Sequence, residues 1–193
     1  MSTAWEELPL WMRPPRESGW EADDLDHVPD LPRHTELIDG ALVFRMSPRR
    51  SAHARIVENL TFALRRAAGA AYEVEREMTV RIDKLTRPEP DILAATVPYD
   101  PDRTRFLPEE VALIVEVVSP ESAHRDRTVK PMKYAEAGIP HYWRVEEESG
   151  LPVAHVYELD ETTRWYVATG IHRDRLKVAV PFPVDLDLAA LAP

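Results

Sequence analysis

Two short apolar runs decide the fold of this chain: residues 90–95 (PDILAA) and residues 111–118 (VALIVEVV). Runs of this length and composition are typical of strands that are buried on both faces of a sheet. An acid interrupts each run, Asp91 in the first and Glu116 in the second. A buried carboxylate is costly unless it is paired, hydrogen-bonded or bound to a metal. Each acid therefore needs a partner, either a basic side chain or a shared cation.

The sequence around these runs alternates between helical and strand patterns. Apolar residues at helical spacing predict a helix over residues 52–68, capped by Ser51 and stopped by Gly69. Strict alternation of apolar and polar residues predicts one strand over residues 72–82. Other expected elements are strands over 41–46, 142–145, 153–159 and 164–169, a helix over 127–137 and a short helix in the tail. The prediction is an α/β fold with one mixed sheet and flanking helices.

The first 33 residues differ from the rest of the chain. They contain five prolines and many acids, without a sustained apolar period. Such a segment lacks the apolar surface needed for a core of its own, so an extended acidic N-terminal arm is expected over residues 1–33. A single domain is predicted over residues 34–193.

Charge is distributed unevenly along this acidic protein, whose formal net charge is −10. Residues 1–40 hold ten acids and three arginines, whereas residues 41–66 hold six arginines and one acid. An overall negative charge argues at first sight against a nucleic-acid partner, because lysine and arginine supply most of the affinity for phosphates. The basic stretch predicts either a local surface for a polyanion or a solvated helix face, and the pattern favours neither.

Several function classes lose their usual support. The chain has no cysteine, which excludes disulfides, thiolate zinc sites and a cysteine nucleophile. It contains no glycine-rich phosphate loop, no Gly-X-Ser-X-Gly elbow and no His-Glu-X-X-His motif. The N-terminus does not resemble a signal peptide, and no apolar run is long enough to span a bilayer. A soluble, cytoplasmic protein without a membrane partner is the expectation.

Asp91 and Glu116 form the first candidate site. If their strands are neighbours, the two carboxylates meet at one sheet edge and offer the hard oxygen ligands that Mg²⁺ prefers. Salt bridges to arginine are the alternative for either acid alone, but two acids in adjacent apolar strands favour a site. Lys130 follows in the second predicted helix and would stabilise charge near such a metal. An exposed helix lysine is the simpler interpretation when Lys130 is considered alone.

Four ordered segments carry a resemblance to a known family: ELIDGALVFRMSP (36–48), PEPDILAA (88–95), LIVEVVSPES (113–122) and DRTVKPMKYAEAGIPHYW (126–143). Together they resemble the Uma2 family of restriction endonuclease-like proteins, a bacterial group within the PD-(D/E)XK nuclease superfamily. The similarity runs from about His34 to the C-terminal DLDLAAL. It implies a restriction endonuclease-like core and a metal-dependent endonuclease that uses Mg²⁺ or Mn²⁺.

The resemblance also implies roles for individual residues. Asp91 matches the superfamily's first metal ligand, and Glu116 matches the second. The main-chain carbonyl of Val117 is the implied third ligand, and Glu36 is expected to act on the metal through water. In this family the catalytic lysine has moved to the following helix, where the match places it at Lys130.

The lysine assignment leaves one alternative open. Val118 occupies the usual lysine position of the superfamily motif. Pro131 directly follows Lys130, and a residue before proline is biased away from helical geometry. Lys133, one turn later, therefore stays an alternative catalytic lysine.

A nucleic-acid partner, DNA in preference to RNA, follows from the resemblance. Its expected contacts are Arg49, Arg50 and Arg55 in the basic stretch, together with His53 at the start of the first helix. A histidine on an apolar helix face is more often a satisfied core residue, and that interpretation of His53 ranks first. The oligomeric state stays open, with a homodimer as one option.

Two other classes of function are weighed against the endonuclease. A nuclease-like fold that serves as a catalytically inactive binding or assembly module would use the acidic arm to engage a basic partner. A glycoside hydrolase would use the same two acids, since paired carboxylates suit that chemistry as well. It would need an open cleft lined by aromatic residues, and the resemblance does not support it.

Overall fold

A six-stranded sheet forms the centre of the computed structural model, which describes residues 9–44 and 50–192. The two α-helices are α1 (Ser51–Ala68) and α2 (Lys130–Glu136). The strands in chain order are β1 (Glu36–Ile38), β2 (Ala41–Val43), β3 (Glu73–Arg76), β4 (Thr79–Val80), β5 (Ile92–Ala95), β6 (Arg105–Phe106), β7 (Val111–Val117), β8 (His141–Glu148), β9 (Leu151–Asp160), β10 (Trp165–His172), β11 (Arg175–Val178) and β12 (Val184–Asp187).

The central sheet is mixed, which confirms the predicted fold class. Its strand order is β10-β9-β8-β7-β5-β3. Strands β7 and β8 are parallel, and α2 lies in the connection between them, while all other neighbours in this sheet are antiparallel. A parallel pair needs a long crossover of this kind, because a tight turn cannot join two strands that run in the same direction. Two-stranded sheets β1-β2, β4-β6 and β11-β12 complete the described part.

Two apolar cores cover the two faces of the sheet. On one face, α1 buries Ile56, Leu60 and Leu64 against inward residues of the strands and against the C-terminal hairpin β11-β12. On the other face, Tyr134 of α2 packs with Phe106 and neighbouring strand residues. Both β5 and β7 are buried along their whole length because each contributes to both cores. The runs at residues 90–95 and 111–118 therefore contain the two strands at the centre of the molecule.

Helix α1 ends at Ala68 as predicted, but it begins at Ser51, one residue before the predicted start. Ser51 is the first helical residue, and the N-cap position belongs to Arg50, which makes no side-chain cap hydrogen bond. Ser51 as the cap is therefore wrong by one position. Gly69 ends the helix with φ +59°, a backbone conformation that glycine adopts without steric cost.

The single strand predicted over residues 72–82 is wrong. Glu77 has φ +57° and interrupts the extended backbone. Strand β3 before it joins the central sheet, whereas β4 after it pairs with β6 in a separate parallel ladder. Val74 and Val80 nevertheless both become buried, one in each core. The alternating pattern thus predicts burial correctly and misses the break.

The segment predicted as an extended arm carries two 3₁₀-helices, Leu10–Met12 and Ala22–Asp26, within the residues that the structure describes. Trp20 and Ala22 are buried against Leu37 of β1. The boundary predicted between residues 33 and 34 stays a prediction.

An ionic group also ties this segment to the domain; it consists of Asp26, Arg87 and Arg105 and is called the docking cluster here. Arg87 donates two hydrogen bonds of 2.8 Å to the Asp26 carboxylate, and Arg105 donates a third of 2.8 Å. Arg87 is 2% exposed. Asp23 and Asp26 of the arm therefore pair with arginines of the β4-β6 region, whereas Asp24 pairs with Arg16 of the arm itself.

Two further expectations fall at the ends of elements. The predicted strand over 41–46 ends at Val43, and residues 45–49 lie outside the described part of the chain. The tail forms β12 followed by a 3₁₀-helix, Ala189–Leu191, rather than an α-helix. No helix of the described residues is both long and apolar enough to cross a membrane.

Candidate active site

Pairing of β5 with β7 brings the two acids of the apolar runs together. Ile92 pairs with Val115, so Asp91, which directly precedes β5, lies next to Glu116. The backbone N–H of Val117 donates a 2.8 Å hydrogen bond to Asp91 Oδ2. His53 Nε2 of α1 lies 3.5 Å from Asp91 Oδ1. Asp91 and Glu116 are 2% and 0% exposed, so both belong to the interior.

Lys130 lies at the centre of several carboxylates. Its Nζ is 2.6 Å from Glu36 Oε1, 3.1 Å from Glu116 Oε1 and 3.8 Å from Asp126 Oδ1. Glu36, Asp126 and Lys130 are each 1% exposed. Glu36, Asp91, Glu116, Asp126 and Lys130 are together called the acid–lysine cluster here.

The local backbone explains why Lys130 rather than Lys133 reaches the acids. Arg125–Val129 forms a π-helical turn in which the N–H of Lys130 bonds to the carbonyl of Arg125. Lys130 has φ −63° and ψ −45°, so it is helical despite the proline that follows. Lys133 points elsewhere and pairs with Asp39 at 2.6 Å. The bias that a proline imposes on its predecessor is overridden here by the continuous helical turn.

Hydrogen bonds from neighbouring groups fix the cluster. Tyr134 donates its hydroxyl to Glu116 Oε1 at 2.9 Å, and Lys130 donates to the carbonyl of Glu89 at 3.3 Å. The N–H of Glu89 donates to Glu36 Oε1 at 2.8 Å. An ammonium group has three donors, and Lys130 has three oxygen acceptors within 3.3 Å, in Glu36, Glu116 and Glu89. Lys130 is therefore fully engaged in this arrangement.

Burial and like charge disfavour ionisation within the cluster. Burial raises the pKa of Glu116 well above its ordinary value; Lys130 opposes this shift, whereas Asp126, Asp91 and Glu36 add to it. Burial likewise raises the pKa of Asp126 to about 6, again against the attraction of Lys130. The pKa of the Tyr134 hydroxyl is raised by burial and by Glu116. Among the described residues, the cluster thus holds four acids and one lysine, an excess of acids.

This excess fits a divalent cation. Glu116 Oε2 is buried and has no hydrogen-bond partner among the described residues. Mg²⁺ binds hard oxygen ligands, keeps several waters and needs only one or two protein carboxylates. Asp91, Glu116 and the main chain of Val117 are the residues that suit it. Within residues 9–44 and 50–192, however, no three histidine or acid side chains converge as a complete metal cage.

A cleft of about 550 Å³ opens beside the cluster. Asp91 and Val117 reach its wall, while the α1 N-terminus contributes Arg50 and His53. The remaining walls come from the segments after β7 and around Val145, and include Ser119, Pro120, Glu121, Ser122, Arg125, Arg127, Glu146 and Glu147. The cleft thus combines three arginines with four acids, and its volume is in the range of ligand sites.

The predicted nucleic-acid contacts divide between two places. Arg50 and His53 line the cleft, and the His53 side chain is 10% exposed. Arg55 instead lines a separate groove between the outer face of α1 and the C-terminal hairpin. Arg49 lies outside the described residues.

Sequence reasoning missed several members of the site. Asp126, Arg125 and Arg127 lie in the hydrophilic stretch HRDR, which resembles any solvated helix start. Tyr134, which donates to Glu116, lies in a helical segment where a tyrosine is also typical of a core. The spacing of Asp126 and Lys130, four residues apart before a helix, is the one signal that would have paired them.

The fold and the site together define an α/β protein with a buried acid–lysine cluster at one end of its central strands, beside a cleft lined by both arginines and acids. Its sequence matches the Uma2 family, described as "Putative restriction endonuclease", over residues 22–190. The chain therefore belongs to the Uma2 family, as its motifs predict. No curated protein matches the chain.

A solved structure has the same fold. It is a crystal structure of a "putative nuclease belonging to DUF820" from Anabaena variabilis, with a TM-score of 0.70 and 16% sequence identity. The match covers 89% of this chain and 97% of that chain. At this identity the similarity concerns the fold and leaves the chemistry to the site residues.

Proposed function

We propose that this chain is a metal-dependent endonuclease that hydrolyses phosphodiester bonds of nucleic acid. The observation that carries the proposal is the acid–lysine cluster, whose buried carboxylates lie beside a cleft that Arg50, Arg125 and Arg127 help to line. A buried acid is costly unless it is paired, hydrogen-bonded or bound to a metal, and Glu116 Oε2 has no hydrogen-bond partner among the described residues. The family's description and the fold of the solved nuclease-like structure point in the same direction.

In this proposal Asp91 and Glu116 hold Mg²⁺ or Mn²⁺, with the Val117 carbonyl as a further ligand. When bound there, the ion supplies Lewis acidity toward the phosphate and makes its water more acidic. The N–H of Val117 fixes Asp91, and Tyr134 fixes Glu116, so neither carboxylate has to reorganise.

Lys130 is the proposed group that orients the attacking water. To do so it gives up one of its three acceptors, and its 3.3 Å bond to the Glu89 carbonyl is the longest of them. Glu36 then keeps the ammonium in place through the 2.6 Å contact. Glu36 acts on the reaction through Lys130 and through water, so it is a positioning residue.

The test is cleavage of plasmid DNA, single-stranded DNA and RNA with Mg²⁺ or Mn²⁺. Asp91→Asn keeps an oxygen that accepts from Val117 and removes the charge, and Lys130→Arg keeps the charge and changes its reach. We expect each variant to lose activity by about 100-fold or more, because each alters a group that acts on the transition state. Lys133→Ala is the matched control on the same helix, and its activity should stay near that of the wild type.

The same assay decides the substrate. Cleavage of DNA above RNA is expected, and sedimentation of the wild type would reveal whether a homodimer forms. Wild-type protein without metal-dependent cleavage of any substrate contradicts the proposal. Equal losses in Lys130→Arg and Lys133→Ala contradict the assignment of the lysine.

A catalytically inactive binding module is the second candidate. The observation that favours it is the full engagement of Lys130, together with the lack of a complete metal cage among the described residues. Calorimetry with Mn²⁺ separates the two candidates, since the module binds no metal at the cluster. Heat of binding that disappears in Asp91→Asn favours the endonuclease.

A further inference from the structure

Arg125 has an unusual position for a basic residue of this protein. It begins the π-helical turn and lines the cleft into which Asp91 also reaches. Its neighbour Asp126 instead enters the acid–lysine cluster and faces Lys130. One turn of the chain therefore contributes an acid to the buried centre and a cation to the cleft beside it.

Arg125 also has no acid partner among the described residues. Four described arginines have a buried Nε without a hydrogen-bond partner. Three of these have a carboxylate within salt-bridge distance of the guanidinium: Arg81 with Asp23 at 3.0 Å, Arg103 with Glu110 at 3.3 Å and Arg144 with Glu146 at 2.6 Å. Arg125 is the fourth, and no described carboxylate forms an ion pair with it.

A comparison with Arg127 shows that the difference is not one of location alone. Arg127 is in the same turn and lines the same cleft, but it is paired with Glu146, which Arg144 also contacts. The charge of Arg127 is thus satisfied within the protein. A half-buried guanidinium without a counter-ion is costly, unless a ligand supplies the negative charge.

We propose that Arg125 binds a phosphate of the substrate strand in the cleft, adjacent to the bond that the acid–lysine cluster would cleave. This inference rests on the proposed nuclease function and names a substrate-binding residue for it. Guanidinium offers a planar fork of donors that matches two phosphate oxygens, which a lysine ammonium does not. Arg125 therefore contributes position as well as charge, and Arg125→Lys should not restore it fully.

Binding of a short fluorescent oligonucleotide to the full chain, measured by anisotropy with Ca²⁺ in place of Mg²⁺, tests this inference. Single-stranded and duplex forms of one sequence are both used. We expect Arg125→Ala to weaken binding by about 10-fold and to reduce the slope of log affinity against log salt by about 1, since one phosphate contact is lost. Arg127→Ala, on the same turn, should change both quantities less.

A second measurement identifies the contact itself. Neutral methylphosphonate linkages are placed one at a time along the oligonucleotide. At one position, the methylphosphonate should weaken binding to the wild type by as much as Arg125→Ala weakens binding to the unmodified oligonucleotide. The same methylphosphonate should not weaken binding to Arg125→Ala any further. If the wild type binds the oligonucleotide and Arg125→Ala binds it with the same affinity and salt slope, this inference is wrong and the proposed function is unaffected. A wild type that neither binds nor cleaves nucleic acid overturns the proposed function as well.

Discussion

Two ionic groups in this molecule differ in the numbers of acids and bases that they contain. In the docking cluster, one carboxylate meets two arginines, and Arg87 also donates to Thr79 and to the carbonyls of Ala22 and Thr104. In the acid–lysine cluster, three carboxylates contact one ammonium group, and a fourth, that of Asp91, lies next to Glu116. The acid–lysine cluster and Arg87 are buried, whereas the side chains of Asp26 and Arg105 are 14% and 38% exposed. The two groups therefore differ in burial as well as in the ratio of acids to bases.

The pKa directions express this contrast. Burial opposes ionisation of Asp26, but hydrogen bonds and charge from Arg87, with help from Arg105, hold its pKa below the ordinary value. Burial raises the pKa of Glu116, and one lysine does not offset its acidic neighbours. A balanced cluster stabilises a fold, whereas an unbalanced one stores an electrostatic cost that a ligand can relieve. The comparison thus separates a structural ionic group from a candidate functional one.

Removal of the single cation should break the unbalanced cluster most severely. Lys130→Met leaves four buried acids without their ammonium, so we expect a loss of about 5 kcal/mol in the free energy of unfolding near pH 8. The loss should be smaller near pH 5, because protonated acids no longer repel one another. Urea denaturation at both pH values measures it. Lys133→Met is the control, and an equal loss in both variants would contradict the contrast.

Breaking the docking cluster should lower the free energy of unfolding by a somewhat smaller amount, and this loss should not depend on pH above neutrality. Arg87→Met should cost about 4 kcal/mol, since it strands Asp26 with Arg105 alone. The folded pKa of Asp26 is lowered, so its contribution is present above the ordinary pKa and is lost only as pH falls through the folded value. Thermal unfolding between about pH 6 and 8 checks this. If the stability loss of Arg87→Met changed strongly with pH in that range, the docking cluster would respond to pH as the acid–lysine cluster does, contrary to the comparison.

Relief of the negative excess should stabilise the protein. The pKa of Asp126 is raised to about 6 in the folded state, above its ordinary 3.8. Below 3.8 both states are protonated, and as pH rises to about 6 the unfolded state ionises first and stability falls. Asp126→Asn should therefore be more stable than the wild type above pH 6, by at most about 3 kcal/mol. Urea titrations from pH 4 to pH 8 measure the difference, and a variant that is less stable at pH 8 would refute this.

The smallest expected loss of stability concerns an exposed ion pair next to the docking cluster. Arg81 pairs with Asp23 at 3.0 Å next to the docking cluster, but the two side chains are 32% and 53% exposed. Arg81→Ala should therefore cost less than about 1 kcal/mol. Chemical denaturation at low and high salt measures it, and the cost should shrink as salt increases. A loss as large as that of Arg87→Met would mean that burial is not what gives the docking cluster its strength.

Much of the fold could be predicted because apolar periodicity reports burial. Helix α1 and strands β5 and β7 were found in this way, since each of them has an uninterrupted apolar face. The break at Glu77 could not be found, because Val74 and Val80 keep the same alternation on both sides of it. A left-handed backbone at a glutamate leaves no trace in hydropathy.

The candidate site was predictable to the extent that its members contrast with their surroundings. Asp91 and Glu116 stand out as acids within apolar runs. Asp126 and Arg125 stand among other charged residues, so nothing in the sequence marks one as buried and the other as part of a cleft. Their separation depends on a π-helical turn, which has no recognised sequence pattern here.

The π-helical turn makes the acid–lysine cluster depend on the number of residues before Lys130 as well as on their identity. Each residue of an α-helix turns the next side chain by about 100°, and the π-helical turn Arg125–Val129, with its bond from residue i to i+5, holds one residue more than an α-helical turn. Deletion of the exposed Thr128 would therefore remove this bond and change the position of Lys130 relative to Asp126, although no residue of the cluster had been changed. We expect a substitution of Thr128 to cost less stability than its deletion. In relatives of this protein, a fixed number of residues between β7 and α2 would then be as strict a requirement as the acids themselves.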